Sequence, residues 1–309
     1  MDFSIVLCTY NRSGNLRRVL KDLEDLAVPQ GVSHEIIVVD NNSSDDTKSV
    51  VEATIRGQPE VFRYARESRQ GKAFALNTGI GLSRGDILIF TDDDVQIDRL
   101  WLAEIMRSFE SYPCMGIGGR IIAVWNSPKP EWFEEGGRYQ LIPAVVVEFD
   151  LGDQPSEMRT GAWGANMAFR RAAFKKYGLF REDLGRNPAN LIGGEDTEFC
   201  ERLLRGGEQM MYIPSAIVYH PVDVKRTTRQ YFQSWYFDNG RTLMRNNAAQ
   251  NDTTRYFGVP RRLFRTHASL CARWLCTLDA KRRFYYKLQL YQNAGAILES
   301  RRRFARSRR

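Results

Sequence analysis

Three consecutive carboxylates, Asp92-Asp93-Asp94, follow the apolar run Ile87-Leu88-Ile89-Phe90. Like charges at that spacing repel one another, so water or a cation must compensate them. A hard divalent ion does so naturally, because Mg2+ and Mn2+ are held by one or two carboxylates together with substrate phosphate oxygens. The competing reading is a solvated acidic turn that caps a helix from Asp98. Gly193-Gly194-Glu195-Asp196 sets two acids on the first turn of a helix expected through Leu204, where free amides and the helix dipole hold them ionised. An ionised carboxylate suits a general base for an alcohol that loses its proton late, and plain capping is the alternative. His220, one of three histidines, ends the run Ile217-Val218-Tyr219 before Pro221. A chain-distant histidine completes a metal site begun by carboxylates, or else it is structural. Lys72, after Gly71, offers a cation for phosphates, as do Arg12 and Arg69. A Walker loop would need glycine where Arg66 stands, and no GxGxxG follows the first apolar run. Both standard phosphate loops are thereby excluded, which counts sharply against dinucleotide redox chemistry and P-loop ATP hydrolysis.

Those side chains need a scaffold. Strand-like runs alternate with helix-like segments: Phe3 to Cys8 then Leu16 to Leu26, Glu35 to Asp40 then Asp46 to Ile55, Val61 to Arg66 then Lys72 to Leu82, and Asp86 to Thr91. The alternation predicts βαβ units and a mainly parallel sheet. Ile36 to Val39 and Ile87 to Phe90 are continuously apolar, as expected of central strands covered by helices on both faces. Ligands of such sheets bind beyond the carboxyl ends of the strands. Thr9, Tyr10, Asn11 and Arg12, then Asp40, Asn41 and Asn42, then Arg66 to Lys72, then Asp92 to Asp94 occupy those ends. Trp101 to Glu110 reads as helix, and Gly/Pro-punctuated strands and loops follow to about Arg170. From Thr227 the chain turns helical and aromatic, with helical spacing of apolar residues from Pro260 to Leu298.

The 309 residues carry a net charge of +8, unevenly distributed. Residues 259 to 309 hold 14 Lys/Arg against Asp279 and Glu299, a net of +12, so residues 1 to 258 carry 31 − 35 = −4. Five cysteines form no CxxC pair and give no disulfide framework, which points to a reducing compartment. Phe3 to Cys8, with no basic stretch before it, does not read as a signal peptide. No window reaches about 18 uninterrupted apolar residues. The reading is a cytoplasmic protein, peripheral on the inner face of the plasma membrane if the basic tail binds lipid.

In order, Ser4 to Arg12, Glu35 to Ser43, Gly71 to Gly79, Thr91 to Asp94 and Gly194 to Asp196 resemble the family 2 glycosyltransferases of GT-A fold, over about residues 3 to 222. The resemblance implies a metal-dependent inverting enzyme of the hexosyltransferase class. It would move a sugar from a nucleoside-diphosphate sugar, a UDP-sugar being expected, to the hydroxyl of a sugar or lipid-linked acceptor. The product would be a cell-surface or secreted polysaccharide, glycolipid or glycoconjugate. It implies a catalytic domain at 1–225, with a nucleotide-binding half at 1–112 and an acceptor half at 113–225; the helical basic region at 226–309 lies outside the resemblance and is read from charge and helical spacing. By position, Thr9, Tyr10 and Arg12 would border the nucleotide, Asp40 would bond its base or ribose, and Lys72 would lie near the base or diphosphate. Asp92, Asp93 and Asp94 would occupy the DXD position. Asp94 and His220 would be the ligands of Mn2+ or Mg2+, and Asp92 or Asp93 would meet ribose or bound water. Asp196 would be the base and Glu195 an acceptor or sugar contact. Trp163 would stack on a sugar face or be a core residue.

The polysaccharide synthases of the family carry QxxRW, whereas Gln230-Tyr231-Phe232-Gln233-Ser234-Trp235 lacks the Arg-Trp pair, so transfer of one sugar is expected. The tail suits an anionic membrane surface or a solvated helix packed on protein. Nucleic acid is not an expected partner, because no recognition module accompanies the charge. The rival functions are a sugar nucleotidyltransferase, which would need a glycine-rich phosphate loop after the first strand, and a non-enzymatic membrane- or polyanion-binding protein.

Overall fold

The computed structural model describes residues 1–246 and 254–306, which form two compact units. The first comprises Met1–Val124, Val147–Gly185 and Glu195–Pro221. Its elements are β1 (Phe3–Thr9), α1 (Ser13–Glu24), β2 (His34–Asp40), α2 (Thr47–Gly57), β3 (Phe62–Arg66), α3 (Lys72–Leu82), β4 (Ile87–Asp92), β5 (Gln96–Ile97), α4 (Trp101–Ser111), β6 (Gly116–Trp125), β7 (Ser156–Glu157), β8 (Asn166–Arg170), α5 (Arg171–Tyr177), α6 (Glu195–Arg205) and β9 (Met210–Val222). The expected α/β architecture, a mainly parallel sheet flanked by helices, is the one the chain adopts. Strand order is β3-β2-β1-β4-β8-β6-β9-β5, with β7 paired to β9.

Strands β1 to β4 are parallel, with Ile5 opposite both Ile36 and Ile89 and Val38 opposite Tyr64. Ile36 to Val39 and Ile87 to Phe90 are buried, because helices cover both faces of the sheet. Helix α1 buries Leu16, Val19, Leu20 and Leu23, the stripe that a 3.6-residue repeat presents to a sheet. Helix α4 begins at Trp101, where the sequence reading starts it, and Asp98 closes the turn before it: its carboxylate accepts Leu100 N–H at 2.8 Å and its carbonyl accepts Trp101 N–H at 3.0 Å.

Parallel register lines the strand ends along one edge. Thr9 lies opposite Asp40, Cys8 opposite Asp92, and Asp40 opposite Arg66. Strand β8 runs antiparallel to β4, with Asn166 opposite Thr91, and so delivers the preceding turn to the same edge. The buried Asn166 amide fixes that arrangement. Its Oδ1 accepts from Trp101 Nε1 at 2.8 Å, and its Nδ2 donates to the Arg120 and Ala216 carbonyls at 2.9 and 2.8 Å. A cluster of phenylalanines then anchors α6. Phe199 stacks on Phe174 (4.6 Å, 7°) and lies 5.1 Å from Phe169, while Phe90 of β4 stands 5.5 Å from Phe180. Truncating one such ring costs about 3–5 kcal/mol, so the acids that open α6 are held on a stiff support.

The second unit comprises Trp125–Val146, Arg186–Gly194 and the chain from Val222. It holds α7 (Arg229–Asn246), β10 (Arg255–Tyr256), β11 (Val259–Pro260), α8 (Arg261–Cys276) and α9 (Ala280–Arg306). Helices α7 and α9 meet through glycine on both sides. A Cβ on Gly240 would lie 1.8 Å from the Gln292 carbonyl oxygen, and one on Gly295 would lie 1.9 Å from that of Phe237. Beside this crossing Glu299 is buried between Arg241 and Arg245, accepting at 3.2 and 2.9 Å. The expected helical stretch from Pro260 to Leu298 is two helices, because Asp279 caps α9, its carboxylate accepting Arg282 N–H at 2.8 Å. Of the C-terminal helical and basic region, residues 247–253 and 307–309, including Arg308 and Arg309, lie outside the described residues. Among the described residues no helix is long and apolar enough to cross a membrane.

Candidate active site

The acidic triad at the end of β4 is not a solvated turn. Asp93 is buried, and its two oxygens accept from Thr9 Oγ1 at 2.7 Å and Arg12 NH1 at 2.9 Å. The same guanidinium nitrogen reaches Asp94 Oδ2 at 2.7 Å. Burial, then the charge of Asp94, pushes the Asp93 carboxyl up to about 6 against the pull of Arg12 and Thr9. Asp94 turns its other oxygen to His220, with Oδ1 and Nε2 3.3 Å apart. His220 is buried, and its Nδ1 lies 3.1 Å from the Pro221 carbonyl oxygen.

Asp92 takes the cation from α3. Lys72 Nζ makes a short ion pair with Asp92 Oδ1. Burial works against the Lys72 ammonium, but Asp92, then Glu195 and Asp196, more than offset it and raise its pKa. The approach of α6 to this lysine passes over Gly164, where a Cβ would lie 3.1 Å from Lys72 Nζ and 3.3 Å from Asp196 Oδ2. Both Asp196 oxygens are held by main chain, Oδ2 by Gly164 N–H and Oδ1 by Thr197 N–H, each at 2.7 Å. Those two bonds fix the carboxylate's orientation; Oδ1 also accepts from Thr197 Oγ1 at 3.4 Å, and Oδ2 has a second lone pair for another donor. Glu195 is buried beside it.

Other residues singled out by sequence fall as follows. Asp40, at the end of β2, accepts from Ser43 N–H at 2.7 Å and from Tyr64 Oη at 2.8 Å. Burial and that bond push the Tyr64 hydroxyl up to about 12. Tyr10 is exposed at the end of β1. Trp163 is half-buried, packs on the core, and has its ring 5.1 Å from Phe149. Arg69 is taken up by Glu67 and by the face of Phe74, 4.6 Å away, rather than standing at the edge as a spare cation. Two further positions act as organisers. Asn41 receives Gly71 N–H at 2.8 Å and donates to the Arg69 carbonyl at 2.7 Å, which ties the end of β2 to the loop that carries Lys72. Gly164 supplies the amide that orients Asp196. A polar residue at a parallel strand end was the available signal for Asn41; for Gly164 the neighbouring Gly161 and Asn166 marked a tight turn but not its partner.

Thr9, Arg12, the triad and His220 thus share one group of contacts, and Lys72, Asp92, Gly164 and Asp196 an adjoining one. Among the described residues no three His, Cys, Asp or Glu side chains converge as a ready metal cage. What the edge offers is one carboxylate and one imidazole facing each other, flanked by cations and by an oriented second carboxylate.

Residues 4–178 match the family described as glycosyl transferase family 2. The succinoglycan biosynthesis protein ExoM of Rhizobium meliloti (strain 1021) is 26% identical over 299 residues, 96% of this chain and 92% of that protein. The glucosyl-dolichyl phosphate glucuronosyltransferase of Haloferax volcanii is 26% identical over 231 residues, 74% of this chain and 71% of that one. Among solved structures, the mannosyltransferase PcManGT from Pyrobaculum calidifontis, in complex with GDP-Man and Mn2+, aligns with a TM-score of 0.64. It is 17% identical, and the alignment covers 96% of this chain and 86% of that one, a likeness of fold.

Proposed function

The chain belongs to glycosyl transferase family 2 and has its GT-A fold, and from that premise we propose that it is a metal-dependent, inverting enzyme. It moves one sugar from a nucleoside-diphosphate sugar, in our reading a UDP-sugar, to the hydroxyl of a sugar or lipid-linked acceptor. Polysaccharide or glycoconjugate assembly is the role we assign, in line with the names of the two relatives. Residues 1–225 are the proposed catalytic region.

The observation that carries this reading is the pairing of Asp94 with His220. His220 Nδ1 lies 3.1 Å from the Pro221 carbonyl oxygen and Nε2 3.3 Å from Asp94 Oδ1, the arrangement of an imidazole oriented by main chain at one nitrogen and facing a carboxylate with the other. One nitrogen donor and one oxygen donor at that spacing fit Mn2+ or Mg2+. Asp94 and His220 would hold it, with the remaining positions left to phosphate oxygens and water. Bound there, the ion would supply neutralising charge to the diphosphate as the anomeric carbon–oxygen bond breaks.

The protein groups have separate tasks. Arg12 holds Asp93 and Asp94 together, and Thr9 braces Asp93 from β1. Tyr10 and Asp40 border the nucleoside in our assignment. Lys72, kept charged by Asp92 and Glu195, balances negative charge beside the donor. Asp196, fixed by Gly164 and Thr197, accepts the proton of the acceptor hydroxyl, whose oxygen attacks the sugar carbon opposite the departing phosphate and inverts it. Glu195 and Trp163 are assigned to the sugar or acceptor.

The test is a thermal-shift screen of nucleoside diphosphates and nucleotide sugars with Mn2+, followed by donor hydrolysis. A selective, metal-dependent rise in melting temperature and slow release of the diphosphate are expected. If no nucleotide or nucleotide sugar binds with or without metal, the reading fails.

A further inference from the structure

Helix α8 has two faces of different character. On one, Leu263 is buried and His267, Leu270 and Trp274 are half-buried. Contacts to α9 account for that side. Asn293 Nδ2 donates to the Leu263 carbonyl at 3.0 Å and lies 3.2 Å from His267 Nδ1, and the Arg283 guanidinium sits 5.0 Å from the Trp274 ring centroid. The opposite face runs through Phe264, Ala268, Ala272 and Leu275, whose steps of four, four and three residues stay in line along a helix. All four are exposed, Phe264 at 41% and Leu275 at 65%. Leu278, just past the helix end, is 97% exposed, and Phe257, in the turn before β11, is 84% exposed. Arg261 and Arg265, both exposed, border the stripe at its N-terminal end.

We propose that this face of α8 docks on an anionic lipid bilayer. Phe264 and Leu275, with Leu278, enter the boundary between headgroups and acyl chains, and Arg261 and Arg265 meet lipid phosphates. The combination selects the partner. A soluble polyanion would use the arginines and leave the apolar stripe in water. A symmetric contact with a second copy would bury the stripe but bring together two segments of net charge +12 each. A bilayer containing acidic lipid satisfies both components, as amphipathic interfacial helices do. The inference does not depend on the proposed glycosyl transfer, since no substrate enters it.

The experiment is co-sedimentation of the full chain with vesicles of phosphatidylcholine alone or mixed with phosphatidylglycerol, at low and high salt. Binding is expected to the mixed vesicles and not to phosphatidylcholine, and to weaken with salt. Arg261→Gln with Arg265→Gln should weaken partition about 30-fold. Leu275→Glu, and separately the milder Leu275→Ser, should weaken it roughly tenfold or more. Because these side chains are exposed, unchanged circular dichroism and melting temperature will show that the variants are folded. The proposal is overturned by absence of binding to either vesicle, by binding indifferent to the Leu275 variants, or by equal, Leu275-insensitive binding to soluble polyphosphate. A shift in oligomeric state on Leu275→Glu, seen by light scattering, would assign the face to a second copy instead.

Discussion

Replacing Asp196 by asparagine tests both the support and the chemistry of the proposed base. Both carboxylate oxygens accept a main-chain N–H at 2.7 Å, from Gly164 and from Thr197. An amide can accept at one oxygen only, so its NH2 must face one of those two donors. Leaving that N–H unsatisfied costs about 1–3 kcal/mol, and the melting temperature should fall by roughly 2–4 °C for each kcal/mol in a chain of this size. Loss of a general base lowers turnover by about 10²–10⁴-fold, well beyond what a few degrees of destabilisation explains. The assay is donor turnover at saturating nucleotide sugar with Mn2+, alongside calorimetric Kd for the nucleoside diphosphate and a thermal melt. Turnover should collapse while the diphosphate Kd stays within about a factor of two, because the diphosphate does not touch this residue in our assignment. Turnover retained within about tenfold, or a loss carried mainly by diphosphate affinity, would show that Asp196 is not the base.

Three further outcomes follow from contacts elsewhere. Gly240→Ala drives a methyl into the Gln292 carbonyl and should cost about 3 kcal/mol or more, read by urea denaturation; a neutral result would refute the close crossing of α7 and α9. Asn41→Ala strips partners from Gly71 N–H and the Arg69 carbonyl, and should lower stability by about 2–4 kcal/mol and raise KM for the nucleotide sugar by loosening the Lys72 loop; an unchanged KM would detach that loop from the donor. Glu67 is pulled down to about 2 chiefly by its Arg69 hydrogen bond. A depressed folded pKa stabilises above the ordinary value of 4.5 and is lost as pH falls towards 2. Glu67→Gln should therefore melt lower than the parent at pH 7 and converge with it in acid, and a pH-independent gap would contradict the ion pair.

Much of the first unit was legible in sequence because its signals are local. Continuous apolar runs at Ile36 to Val39 and Ile87 to Phe90 became central strands, and Lys72 to Leu82 became α3 at those bounds. Strand β8 was not legible, since five residues, Asn166 to Arg170, acquire their place only by pairing with β4, far earlier in the chain. The break between α8 and α9 was hidden by apolar spacing that runs through it, although Asp279 was a readable cap. At the candidate site, residue types were informative and partners were not. Three adjacent acids gave no register, whereas in the fold Asp92 faces Lys72, Asp93 faces Thr9 and Arg12, and Asp94 faces His220. Long-range contacts set that division of labour, and no local pattern encodes it.

The account turns on whether Asp94 and His220 hold a divalent ion that receives a nucleoside diphosphate. Titration of UDP and GDP into the full chain by calorimetry, with and without Mn2+, measures this directly for the parent and for Asp94→Ala. The account expects one diphosphate to bind only with metal, and Asp94→Ala to weaken it more than about tenfold. Equal binding with and without Mn2+, or binding untouched by Asp94→Ala, would contradict it.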